Sequence, residues 1–306
     1  MTRYILVRLI QAVPVVLGVA TMLFLLLRMS GDPAIVMAGG ESASPQTIAA
    51  VKLKFGLDRP LYEQYWLFVS QLAVLDFGES YAWHQPALQL VWSRLPTTLL
   101  LTGTSFIASF VVGVPLGLVA ALRRDTLEAR FAMLIAFIGQ SMPSFWLGIL
   151  LILLFSVQLH WLPSFGSGDV RNLIMPVITI SGFSIARNAR LVRSGLLEVM
   201  NEDYIRTARS KGNDERIVVM RHALKNMLIP VVTVSGLQLG FLVGGAVLAE
   251  TIFAYPGIGS LLVQSVGTRD YPVVQATVFI IAIAVVLSSL LVDIIYTYID
   301  PRIRYG

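Results

Sequence analysis

Side chains that carry out covalent or metal chemistry are scarce in this 306-residue chain. It contains no cysteine, which excludes disulfides, thiolate nucleophiles and thiolate metal sites. Three histidines, His84, His160 and His222, leave little for imidazole ligation. An HExxH zinc pair, a GxSxG nucleophile elbow and a glycine-rich GxxxxGK phosphate loop are all missing. No catalytic residue, metal site or bound cofactor is therefore expected, and any ATP hydrolysis falls to another chain. Two kinds of group remain. Gln140, Ser141, Ser144, Ser235 and Gln238 are neutral polar residues within apolar runs, able to face a pathway or to bond neighbouring helices. Between Arg187 and Lys225, nine basic residues surround a short helical pattern, which suits docking better than catalysis.

These groups belong to a chain that is 56% hydrophobic and only 13% charged, so lipid is the expected solvent for much of its surface. Six apolar stretches approach the roughly 20 residues needed to cross a bilayer. They are Leu9 to Leu27, Thr97 to Leu122, Phe131 to Leu159, Asn172 to Ala189, Met227 to Ala249 and Val273 to Ile295. The expected fold class is all-α, a polytopic membrane protein with six transmembrane helices, of which the fourth is the least apolar. The first stretch follows Arg3 and Arg8 as a signal sequence would, but it is too long for an h-region and reads as an uncleaved helix.

In the second stretch Ser105, Ser109, Gly113 and Gly117 recur every fourth residue, as do Gly236, Gly240 and Gly244 in the fifth. Small residues at that spacing let helix backbones approach closely, and such a face either packs the bundle or lines a pathway or subunit interface. The pathway or packing candidates are Gln140, Ser144, Gly236, Gln238, Gly240 and Gly244. Pro14, Pro115, Pro143, Pro176 and Pro230 mark expected kinks. Charge is nearly absent from the expected membrane interior, with Asp293 near the end of the last helix and Arg187 and Arg190 near the end of the fourth. A secondary carrier or channel usually needs a midplane carboxylate or unwound carbonyls, so a self-powered transporter is the alternative this pattern favours less.

The basic residues set the expected orientation. With the N-terminus inside, Arg3, Arg8, Arg123, Arg124, Arg130, the nine from Arg187 to Lys225, Arg302 and Arg304 all face the cytoplasm. Arg28, Lys52, Lys54, Arg59, Arg94, Arg171 and Arg269 remain outside, an asymmetry of the sign that the positive-inside rule requires. Both termini are then cytoplasmic. The organisation expected is a tail and first helix (1–28), an external segment (29–96), and a core of five helices (97–306) with a cytoplasmic loop at 187–226. The external segment carries turn signals such as Ser30-Gly31-Asp32-Pro33 and Asp58-Arg59-Pro60, so it reads as folded. Tyr62, Tyr65, Trp66 and Phe68 suggest an amphipathic helix whose aromatics pack in a core or at an interface rather than stack on a ligand.

The cytoplasmic run Asn201 to Gly212 has short-helix signals throughout. Asn201 is placed to cap, Glu202 and Asp203 sit at the positive dipole end, Arg209 and Lys211 lie near the negative end, and Gly212 is placed to stop it. A second helix follows, capped by Asn213 or Asp214, with Ile217, Met220, Leu224 and Met227 as an apolar stripe. Tyr204, Ile205 and Ala208 form a small apolar patch flanked by Arg206 and Arg209, fit either for a partner's groove or for anionic lipid heads.

This run resembles the loop before the fifth helix in the permeases of binding-protein-dependent ABC importers, in the peptide, glutathione and nickel branch. The matching residues are Tyr204 to Gly212, continued by Arg221-His222-Ala223-Leu224-Lys225-Asn226 and Pro230, with Arg206 and Thr207 standing where the wider signature has Glu and Ala. Further matches run along the chain. They include Gly31-Asp32-Pro33, Phe55-Gly56-Leu57-Asp58-Arg59-Pro60-Leu61, Arg94-Leu95-Pro96-Thr97-Thr98-Leu99 and Pro143-Ser144-Phe145-Trp146-Leu147-Gly148. Glu250-Thr251-Ile252-Phe253, Tyr255-Pro256-Gly257-Ile258-Gly259, Arg269-Asp270-Tyr271-Pro272 and Asp300-Pro301-Arg302 complete the order.

The resemblance implies a type I ABC importer permease fold in a bacterial inner membrane. It further implies a heterodimer with a second permease, two cytoplasmic ATPases that use ATP and Mg, and an external binding protein. Tyr204, Ile205, Arg206, Thr207, Ala208, Arg209, Lys211 and Gly212 would form the coupling helix that docks on the ATPase. Short peptides are the substrate class it favours, with nickel, glutathione, opines and oligosaccharides as alternatives.

Overall fold

The computed structural model describes residues 2–29, 31–40 and 43–299. The Asp300-Pro301-Arg302 motif and Arg304 lie outside the described residues. The described residues form fourteen α-helices: α1 (Thr2–Met29), α2 (Pro33–Met37), α3 (Pro45–Phe55), α4 (Leu61–Ala73), α5 (Ala87–Leu122), α6 (Leu127–Ser141), α7 (Ser144–Leu151), α8 (Arg171–Val199), α9 (Asp203–Ser210), α10 (Glu215–Ile217), α11 (Leu224–Leu237), α12 (Leu239–Ile252), α13 (Ile258–Gly267) and α14 (Tyr271–Ile299). Wider π-helical turns occupy Ile152–Gln158 and Val218–Ala223. Among the described residues extended pairing is limited to an isolated bridge between Glu79 and Pro86.

Among the described residues four stretches are long and apolar enough to cross a membrane: Leu6–Met29, Ala87–Leu122, Glu215–Gly236 and Tyr271–Val292. The expected third span is not one straight rod. α6 and the helix from Ser144 to Gln158 meet at 110° across Met142-Pro143, forming either a broken span, which brings the total to five, or a re-entrant pair, which leaves it at four. Pro143 supplies the break, because its ring restricts the preceding residue to extended backbone, and Met142 has ψ 135°. The expected fourth span is α8, whose 29 residues are long enough but too polar to qualify by composition. It buries Asn172, Thr179, Ser181, Ser184 and Asn188, so these polar groups face protein.

The chain divides into two units, Met1–Pro96 with Gly257–Val286, and Thr97–Pro256 with Leu287–Gly306. In the first, local chemistry sets the short helices. Asp32 caps α2 by accepting from the Ala34 amide at 3.0 Å, and Ser44 caps α3 by accepting from the Thr47 amide at 3.1 Å. Each is followed by proline at the first helical position, where the missing amide is harmless. Gly56 then ends α3 with φ 64°, a left-handed turn that glycine adopts without penalty.

The aromatics of α4 divide by face. Tyr65 and Phe68 pack on Phe24 of α1 at ring separations of 5.4 and 5.6 Å, while Tyr62 and Trp66 remain exposed. Phe77 and Phe279 extend this core at 5.6 Å.

Lys52 and Asp32 form an ion pair at 2.6 Å that ties α3 to the start of α2. The Lys52 hydrogen bond holds the Asp32 carboxyl below the usual carboxylate range. A depressed pKa means the pair supports this corner above the ordinary carboxylate range and that the support is lost as pH falls through the lowered value. Amide hydrogen exchange at α2 is expected to quicken at acid pH in the wild type, with a much smaller pH response in Lys52→Ala.

The second unit is built around α8. A Cβ added at Gly113 would lie 2.9 Å from the Ile185 carbonyl oxygen, and one at Gly117 only 2.5 Å from that of Ala189. α6 approaches equally closely, since a Cβ at Gly139 would meet the Gly182 carbonyl oxygen at 2.9 Å. The serine and glycine stripe of α5 is thus a packing seam, with backbone against backbone. Asn188 locks it: its Nδ2 donates to the Ser109 carbonyl at 3.3 Å and hydroxyl at 3.2 Å, and its Oδ1 accepts from Ser235 Oγ at 2.7 Å. These three buried residues join α5, α8 and α11. Asn188→Leu keeps the branched shape but strands the Ser235 hydroxyl, while that of Ser109 still donates to the Phe106 carbonyl at 2.6 Å, and the expected cost is about 1–3 kcal/mol in a thermal melt. Adding Ser235→Ala is expected to return part of that loss.

Candidate functional site

The short helix α9 is braced on three sides. Ile205 is fully buried and Ala208 is 6% exposed, both set in a cluster with Val192, Leu196, Val218 and Met227. Arg209 forms a two-pronged bond to Glu215, Nε to Oε2 at 3.0 Å and Nη2 to Oε1 at 2.7 Å. Tyr204 Oη accepts from Asn226 Nδ2 at 3.0 Å, linking α9 to α11. Exposed to solvent are Tyr204, Arg206, Thr207, Arg209, Ser210, Lys211 and Gly212. The apolar patch expected from Tyr204, Ile205 and Ala208 therefore does not exist as a surface. Ile205 and Ala208 anchor the helix in its own chain, because residues one turn apart share a face and that face turns inward.

The helix ends also differ from expectation. Glu202, not Asn201, occupies the N-cap position, without a side-chain bond, and Asn201 Nδ2 donates instead to the Leu197 carbonyl at the end of α8. Asn213 does not cap the next helix. Its Nδ2 donates to the Ala208 carbonyl at 2.9 Å, filling an acceptor left open at the end of α9. Gly212 turns the chain at φ 78°, one residue past the C-cap Lys211.

Beyond it, the expected stripe of Ile217, Met220, Leu224 and Met227 holds in its second half, where Met227 is buried and Leu224 packs on the same cluster, but Ile217 and Met220 are exposed and Val218, Val219 and Ala223 face inward instead. The π-helical turn at Val218–Ala223 is the reason: an extra residue in the turn shifts which positions face inward.

The pathway or packing candidates are scattered through the second unit. Gly236 is a packing position, since an added Cβ would strike Val292 at 2.3 Å, whereas Gly244 has nothing within 4 Å. Gly240 lies on α12, four residues before Gly244. Gln238 is buried at the break between α11 and α12, its Nε2 reaching the Val234 carbonyl at 3.4 Å and its Oε1 without a partner among the described residues. Gln140 and Ser144 are half-buried on either side of the Met142-Pro143 bend.

The expectation of an almost charge-free interior is corrected at Glu250. Its carboxylate is fully buried near the end of α12 and accepts from Thr98 Oγ1 at 2.5 Å. The signal was present in the sequence, as Glu250 directly follows the apolar run to Ala249.

In the first unit a cavity of about 820 Å³ is lined by Arg28, Gln64, Glu79, Tyr81, His84 and Gln275, among others. Its wall is fixed by Asp270, whose buried carboxylate accepts from the Ser80 hydroxyl and from the Ala82 amide at 3.1 Å. This joins the Arg269-Asp270-Tyr271-Pro272 motif to the segment between α4 and α5. Burial pushes the Tyr81 phenol upward, and the Asp270 charge adds to the shift.

Residues 113–305 match the family described as binding-protein-dependent transport system inner membrane component, and residues 1–102 match its N-terminal companion. The chain belongs to this family. It is similar, at 45% identity over 314 residues spanning both chains in full, to a peptide transport system permease protein of Brucella abortus (strain 2308). It is also 43% identical, again over the whole of both, to the glutathione transport system permease protein GsiC of Escherichia coli (strain K12). Among solved structures, a chain of the MetNI methionine ABC transporter in inward-facing conformations superposes with a TM-score of 0.58. At 24% identity it covers 69% of this chain and 97% of its own length, a likeness of fold. The permease is thus a multi-pass inner-membrane subunit of an ABC importer, a transport component whose ATPase is a separate chain and which works with a substrate-binding protein.

Proposed function

We propose that this permease forms half of the translocation pathway of an ATP-driven importer of short peptides, paired with a homologous second permease. α9 is its coupling helix. The observation that carries this reading is that α9 is rooted in the core through Ile205 and Ala208 yet offers Arg206, Thr207, Ser210 and Lys211 to a partner. A helix braced to α8, α10 and α11 passes a push from outside the membrane to the helices within it. ATP-driven closure of two ATPases would move α9 and turn the pathway outward, and hydrolysis would reset it. Both termini are cytoplasmic in this reading, residues 1–28 form the tail and first span, and 29–96 lie outside, where the Asp270-braced wall is a landing surface for the binding protein. The similarity to peptide and glutathione permeases supports peptides as the substrate class.

The natural lack of cysteine makes a clean test possible. In the assembled importer, Thr207→Cys and Ser210→Cys are expected to cross-link to the ATPase and to react with impermeant thiol reagents only from the cytoplasmic side. Labelling from outside would overturn the orientation, and transport by the purified chain without an ATPase would overturn the function. For the substrate, short peptides are expected to raise the melting temperature of the cognate binding protein.

A further inference from the structure

Three arginines of α8, Arg187, Arg190 and Arg193, line one groove of about 580 Å³ together with Met133 of α6 and Leu191, Ser194 and Leu197 of α8. No acidic residue lines it. None of the three arginines makes an ion pair or side-chain hydrogen bond with any described residue, and Arg193 Nε is buried without a partner. Acidic groups on the adjoining turn are engaged elsewhere, Glu128 with Arg123 and Asp125 with Arg124.

Three unneutralised guanidinium groups held side by side repel one another, and a buried unpaired donor adds a desolvation cost, so the groove is built for an anion. At about 1.5 Å per residue, Arg187 and Arg193 lie roughly 24 and 33 Å along α8 from Arg171, the depth at which a helix crossing a hydrocarbon layer of about 30 Å reaches the headgroups. Next to Met133 on α6, Leu134 and Phe137 are exposed, a surface for acyl chains.

We propose that this groove binds the phosphate of an anionic phospholipid, with the acyl chains lying along α6. The inference rests on the membrane placement of the permease and not on which side its termini occupy. Bidentate guanidinium-phosphate bonds would satisfy Arg193 and relieve the crowding of charge. Basic grooves between membrane helices suit such headgroups, with each arginine contributing on the order of a fivefold gain in retention.

Native mass spectrometry of the full chain and of the assembled importer, each relipidated with phosphatidylglycerol or phosphatidylcholine, tests this. The wild type is expected to retain phosphatidylglycerol preferentially, and the triple variant Arg187→Gln, Arg190→Gln, Arg193→Gln to lose retention on the order of a hundredfold. Arg193→Lys, which keeps the charge but not the fork, is expected to lose only part of it and serves as the variant least exposed to misfolding. Equal retention by wild type and triple variant overturns the proposal. So does inorganic phosphate that binds as tightly as the lipid, which would make the site one for a free anion. Unchanged lipid retention with loss of ATPase association would also overturn it, assigning the groove to a protein partner.

Discussion

Ile205→Asp is expected to abolish ATP-driven uptake in proteoliposomes that contain the complete importer. Ile205 has no exposed surface and fills the centre of the cluster that seats α9. Removing its side chain costs about 2–5 kcal/mol through lost burial and the cavity left behind. A carboxylate in the same place has no cation to pair with, and desolvating it adds several kcal/mol unless it takes up a proton. The sum rivals the whole stability of an ordinary domain, so the helix leaves its seat rather than bury the charge. Ile205→Val, which costs about 1 kcal/mol, is expected to transport. Arg206→Ala loses an exposed pair to Asp203 at 3.4 Å, worth at most about 0.5 kcal/mol to folding, so any loss of uptake there reports docking. Uptake by Ile205→Asp at the wild-type rate would show that α9 is not held through its buried face.

The second large effect is expected at Gly117→Val. The first side-chain carbon alone would sit 2.5 Å from the Ala189 carbonyl oxygen and 2.6 Å from Val192 Cβ, inside the distance at which carbon and oxygen can coexist. Backbone on one side and a β-branched residue on the other leave no flexible group to swing aside. Overpacking typically costs 1–3 kcal/mol, and a clash with main chain belongs at or above the top of that range, about 3 kcal/mol. The thermal melt of the purified permease is expected to fall sharply, with poor yield. Gly103→Ala on the same helix has nothing within 4 Å and is expected to leave the melt unchanged or slightly raised. If the two variants melt alike, α5 and α8 are not in backbone contact.

Apolar runs made the long helices legible, because α1, α5 and α14 meet lipid over much of their length and must advertise it. The break in the third span was half visible, as Pro143 was marked as a kink but its angle depends on packing. Less was legible where one side chain has two uses. Asn201 and Asn213 have the chemistry of N-caps, and only the placement of carbonyls at Leu197 and Ala208 shows that they serve the preceding helix ends instead. Ile205 and Ala208 presented a stripe that any partner might have covered, and the partner is their own core. At Val218–Ala223 the period itself changes, so a 3.6-residue template that is right at Met227 assigns the wrong face to Ile217 and Met220. Glu250 was passed over because a charge at the edge of an apolar run is usually wet, and here Thr98 and the surrounding core enclose it.

The polarity of α8 bears on how the permease is made. Asn172, Thr179, Ser181, Ser184 and Asn188 spread amides and hydroxyls through the span, and together with its low hydropathy they make solitary transfer of α8 into lipid unfavourable. The glycines of α5 and α6 that lie against its backbone are synthesised earlier, so a sheltering groove already exists when α8 leaves the ribosome. Biogenesis is thereby given an order, in which the insertion machinery must hold the preceding helices beside α8 until it docks. A nascent chain ending near residue 200 is expected to insert α8 stably only when α5 and α6 are present, and truncated chains lacking them are expected to leave α8 uninserted.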